Sequence, residues 1–148
     1  MLIAAALCPS PPLLARELTG ADLVLPELRE ACREAVAELL RAAPDVVVVV
    51  GVAAEHRTFD PRAGLDVTLY APALAADGRA ASPAAEGAPP RLPLSIGLGS
   101  RLLDDAGYHD RRELHSVSEQ TQPAACAALG ASLAAAAPRV ALLVMADG

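Results

Sequence analysis

The chain opens on a continuous apolar run, Leu2 to Cys8, that Pro9-Ser10-Pro11-Pro12 brings to an end. Such a run reads as a buried strand, and the prolines both stop its hydrogen-bond ladder and force an extended exit. From Pro26 to about Ala43, Leu28, Cys32, Ala35, Val36, Leu39 and Leu40 recur at helical spacing. Arg29, Glu30, Arg33, Glu34, Glu38 and Arg41 take the other face. That pattern predicts an amphipathic helix with Pro26 in its first turn. Pro44-Asp45 then leads into Val46 to Val52, where five consecutive valines predict a strand buried on both faces. Strand, helix, strand is a βαβ unit with a right-handed crossover. The fold class is therefore α/β, a mostly parallel sheet with helices on both faces.

The pattern weakens further on. Leu65 to Tyr70 is a third candidate strand, and residues 71–93, rich in Ala, Pro and Gly, read as a flexible surface loop inside one domain of residues 1–148. Leu94, Leu98, Leu102 and Leu103 predict a helix over Leu94–Ala106 capped by Gly107, although Gly97 and Gly99 each cost it about 1 kcal/mol relative to Ala. A further helix is expected over Thr121–Ala137, with Cys126, Leu129 and Leu133 inward and Ser116 and Glu119 at capping-box spacing. Val140 to Ala146 is the last buried strand. An α/β chain ordinarily continues from such a strand into a helix, so Asp147-Gly148 reads as the end of the N-terminal part of a longer domain.

Composition narrows the function classes. Of 148 residues, 53% are hydrophobic and 2% aromatic, so the core is aliphatic, and roughly two-thirds of the unfolded surface can be buried. All 12 basic residues are Arg, against 18 acidic ones, and the net charge of -6 with scattered Arg argues against a nucleic-acid partner. Pro44 and Asp45 break the longest apolar stretch, and the first eight residues lack a basic leader, so neither a membrane partner nor a signal is expected and the location reads as cytoplasmic. Cys8, Cys32 and Cys126 have no metal-ligand spacing and are expected as small buried hydrophobes.

Ligands of open α/β sheets bind outside the carboxyl ends of the strands. Ser10, Ala53, Glu55, His56 and Asp147 reach that edge and are the pocket candidates. There Ser10 would hydrogen-bond a small molecule, and Glu55 or His56 would handle a proton or a metal. The alternative is structural: Ser10 caps a turn, Glu55 and His56 form a solvated corner with Arg57, and Asp147 caps a helix. His109 and His115 fall in a charged segment with Asp104, Asp105, Asp110, Arg111, Arg112 and Glu113 that reads as a solvated loop. A metal site from His56, His109, His115 or Glu119 is open by residue type alone. The sequence has no Walker lysine, no third glycine after Gly97-Leu98-Gly99 and no GxSxG elbow, so no nucleotide-loop or serine-hydrolase reading is supported.

The segment Ala5-Ala6-Leu7-Cys8-Pro9-Ser10-Pro11-Pro12-Leu13-Leu14, a helix, and Pro44-Asp45-Val46-Val47-Val48-Val49-Val50-Gly51 together resemble the class III extradiol ring-cleavage dioxygenase superfamily, with its Memo-like fold. The resemblance implies a metal site of two His and a distant carboxylate holding Fe(II). Its His-Pro-Pro-Leu position falls on Ser10 and its second His on Ala53, and neither residue can serve a facial triad. The resemblance thus implies a degenerate or truncated member without the iron, one that binds a small molecule or a partner subunit or forms a homo-oligomer. Two alternatives stand beside it: a metal-dependent ring-cleavage oxidoreductase using a rearranged His/Glu site, and a structural subunit completed by another chain.

Overall fold

The computed structural model describes residues 1–19, 24–65, 67, 70 and 91–146. The expectations placed on residues 71–90 and Asp147, and most of the candidate strand at 65–70, lie outside them; Leu65 itself makes an isolated parallel bridge to Leu92. Five strands form one sheet: β1 (Leu2–Cys8), β2 (Val46–Val52), β3 (Arg57–Phe59), β4 (Arg112–Val117) and β5 (Val140–Met145), in the order β1-β5-β2-β4-β3. β1, β5, β2 and β4 are mutually parallel, and only β3, on the far edge, runs antiparallel to β4. The helices are α1 (Arg16–Thr19), α2 (Pro26–Arg41), α3 (Leu94–Asp105) and α4 (Pro123–Ala134), with a 3-10 turn at Pro12–Leu14.

Alternation along β2 divides the core. Val47 and Val49 join Cys32, Val36 and Leu39 of α2 and Ile96, Leu98 and Leu103 of α3 on one face, whereas Val46 and Val48 meet Leu133 of α4 on the other. The βαβ start, the valine strand and the helices on both faces are all present. β5 lies between β1 and β2, so the first crossover skips one strand position.

The two faces are unequally covered. Strands stand about 4.8 Å apart and a helix is about 10 Å wide, so one helix covers about two strands. α4 alone serves its face, sitting over β2 and β5. On β1, the residues facing that side include Leu2 and Leu7, 46% and 69% exposed. Among the described residues no helix is long and apolar enough to cross a membrane.

Three expectations are corrected. The charged segment expected to be a solvated loop contains β4, and His115 within it is buried. The strand was hidden because Arg112, Glu113 and His115 dilute the apolar alternation around Leu114, while the pairing that holds it, to β2, is backbone-made. Cys126 is exposed, because it lines an open groove between α4 and the sheet rather than a filled core. Ser116 belongs to β4 and caps nothing; α4 starts at Pro123, after Gln122.

Candidate functional site

Because four strands run the same way, their carboxyl ends gather at one edge. Ser10 beyond β1, Val52 at the end of β2, Glu119 beyond β4, Ala146 beyond β5, and Arg91 and Ser95 around the start of α3 line a cleft of about 740 Å³ there. Ser10 is 6% exposed. Its proline-rich loop is held from α2: Arg29 donates from Nη1 to the Leu14 carbonyl at 2.9 Å and from Nη2 to the Leu13 carbonyl at 2.7 Å. The Ala146 N–H donates to the Cys8 carbonyl at 3.1 Å, tying the exits of β5 and β1 together.

The opposite wall depends on a glycine. A Cβ on Gly51 would lie 2.5 Å from Ser95 Oγ and 2.9 Å from Ile96 Cγ1, so only glycine lets the start of α3 approach the end of β2 this closely. Ser95 Oγ uses that approach to donate to the Val52 carbonyl at 3.1 Å. Arg91 and Ser95 were not among the sequence candidates. The available signal was that a helix following a strand in a parallel sheet starts at the carboxyl edge, which places residues just before Leu94 in the cleft wall.

Ala53, Glu55 and His56 lie past β2 but do not line this cleft. The Ala53 N–H donates to the Val117 carbonyl at 3.0 Å. The Glu55 carbonyl accepts from Ser116 Oγ at 2.6 Å, and its exposed carboxylate stands 3.8 Å from Arg57 Nε. These contacts turn the chain from β2 into β3, the corner that the structural alternative anticipated.

His56 and His115 do come together. Their rings stack with centroids 6.2 Å apart and planes 10° from parallel. Register explains the meeting: His115 pairs with Val50 on one side and Thr58 on the other, so it projects on the α4 face, and His56 lies two residues before Thr58. Thr58 Oγ1 is 3.2 Å from His115 Nδ1. His115 Nε2 is buried with no hydrogen-bond partner; Glu113 Oε2 at 3.6 Å is near enough for an ion pair and too far for a hydrogen bond. Burial, ahead of the opposing pull of Glu113, holds the His115 imidazole below its usual range, so it is neutral near pH 7.

His109 is elsewhere, in a cavity of about 600 Å³ beside the amino end of β4 with Arg62, Asp104 and Arg112. Among the described residues no three His, Cys, Asp or Glu side chains are assembled around one point for a metal ion. Cys8 is no nucleophile: burial, and then its neighbour Cys32, push its thiol up to about 12. Comparison with protein-family models and with curated proteins finds no match for this chain.

Proposed function

We propose that the chain is a class III extradiol dioxygenase-like domain whose carboxyl-edge cleft binds a small polar molecule and lacks the Fe(II) site. One observation carries the reading: the cleft lies at the edge where such sheets bind ligands and is walled by Ser10, Arg91, Ser95 and Glu119. The positions aligned with the two iron-binding imidazoles carry Ser10 and Ala53, a hydroxyl and a methyl group, which do not fit Fe(II). A guanidinium, two hydroxyls and a carboxylate suit recognition of a small molecule that carries both an acidic group and hydroxyls.

Protocatechuate, a catechol with a carboxylate, is the probe. Titrated without metal and followed by amide NMR, it is expected to shift Ser10, Ser95 and Glu119 saturably, and Arg91→Gln is expected to weaken binding about tenfold, the loss of one charge-assisted contact. Shifts confined to other parts of the chain, or none at all, would contradict the reading.

A second reading, a structural subunit completed by another chain, is favoured by the uncharged helix α4 and the exposed Leu2 and Leu7 on the same face. Sedimentation distinguishes it: a monomer at micromolar concentration removes the second-copy form of that reading.

A further inference from the structure

We propose that His115, Glu113 and His56 form a binding site for a divalent transition metal of the zinc class, separate from the carboxyl-edge cleft. His115 is the anchor. Its side chain is 9% exposed, and its Nε2 atom is buried without a hydrogen-bond partner. A buried polar atom left unpaired costs about 1–3 kcal/mol, so a protein retains one where something else satisfies it. With the neutral ring's proton on Nδ1 and donated to Thr58 Oγ1, Nε2 presents a lone pair, the arrangement in which histidine binds a metal while its second nitrogen is held by an outer partner.

Glu113 supplies the second donor. Arg111 Nη2 donates to its Oε1 at 2.6 Å, which leaves Oε2 turned toward His115 Nε2 at 3.6 Å. That separation is close to the about 3.4 Å between two ligand atoms around a tetrahedral zinc ion with bonds of about 2.0–2.2 Å. His56 is the movable third ligand. It is exposed, it follows the turn out of β2, and its ring already lies parallel to His115. As it stands the stack is not a coordination geometry, so His56 must turn about its side-chain bonds as the ion enters. Two imidazoles and one carboxylate leave a fourth position for water, a donor set that suits zinc over calcium or magnesium.

The test is calorimetric titration of the whole chain with zinc chloride at pH 7.5. One equivalent is expected to bind. His115→Gln and Glu113→Gln are each expected to weaken binding at least about tenfold, and His56→Gln to weaken it as well. His109→Gln and Cys126→Ser, which remove another histidine and the exposed thiol, are expected to leave affinity unchanged. Circular dichroism confirms the fold of each variant, and Glu113→Gln, a partly exposed change of one atom, keeps the test open if His115→Gln unfolds. The proposal is overturned if zinc does not bind, or if it binds equally well to Glu113→Gln or is lost only with Cys126. This readout does not involve the cleft, so failure here and failure of protocatechuate to bind are separate results.

Discussion

Arg112 Nη1 lies 2.7 Å from Asp104 Oδ1, and this pair joins the amino end of β4 to the end of α3. The Arg112 side chain is 9% exposed, donates to Ser100 Oγ and to the Ser100 carbonyl, both at 3.2 Å, and to the Tyr108 carbonyl, and lies over the Tyr108 ring. Removing one partner of so buried a pair leaves acceptors without donors. Arg112→Ala is expected to cost about 3–5 kcal/mol, read as a lower denaturant midpoint. Arg112→Lys is expected to recover little of it, because an ammonium cannot span the fork of acceptors. A midpoint within experimental error of the parent would contradict this role.

Gly99 and Gly130 are both helical, and substitution is expected to act on them with opposite signs. A Cβ on Gly99 would lie 2.6 Å from Val49 Cγ1 and 2.8 Å from Met145 Cγ, whereas one on Gly130 meets nothing within 4 Å. Helix propensity favours Ala by about 1 kcal/mol at either position. At Gly99 overpacking against a stiff valine, typically about 1–3 kcal/mol, outweighs that gain. Gly99→Ala should lower the melting temperature and Gly130→Ala should raise it; a rise in both would show that α3 is not pressed against β2.

The three thiols should separate by reactivity. Cys8 is 1% and Cys32 2% exposed, burial raises both thiols, and Cys8 reaches about 12, while Cys126 is exposed. Brief treatment of the native chain with iodoacetamide at pH 8 is expected to label Cys126 alone, with all three labelled in denaturant. Mass spectrometry counts the adducts. Native labelling of Cys8 at the rate of Cys126 would contradict the packing of β1 against α2.

His115 should make stability depend on pH in a defined direction. Its folded pKa lies below the ordinary 6.5 because burial disfavours the imidazolium. The unfolded chain therefore binds the proton more readily. The stability tied to the neutral buried ring is complete above about pH 6.5 and is lost as pH falls from there through the folded value. The difference in unfolding free energy between the parent chain and His115→Gln should accordingly change as pH is lowered from 7.5 to 5, with the parent losing more. A difference constant over that range would mean that His115 has no depressed pKa.

Much of the fold was readable because it is written in local periodicity. The valine run of β2, the helical spacing of α2 and the apolar runs of β1 and β5 each name their own structure, and the edge where ligands bind follows from parallel order. β4 and β3 were not readable, since Arg112, Glu113, His115 and Thr58 belong to a sheet through backbone pairing rather than through an apolar pattern. The glycines of α3 looked like defects, and at Gly99 the structure gives the reason: it is a contact surface. The cleft was half legible. Ser10 follows directly from β1, but Arg91 and Ser95 come from the far side of residues 71–90, and no spacing rule links them to Ser10. The meeting of His56 with His115 depends on antiparallel pairing of a three-residue strand, which sequence separation conceals.

The central claim, a ligand-binding cleft in which Ser10 and Ala53 have replaced iron ligands, is tested most directly by oxygen uptake. The chain is loaded anaerobically with Fe(II), freed of excess iron and mixed with aerated protocatechuate while oxygen consumption and ring-opened product are followed. The account predicts rates no greater than those of the same concentration of free Fe(II). Ring-opened product formed above that background, in proportion to protein-held iron, would contradict it.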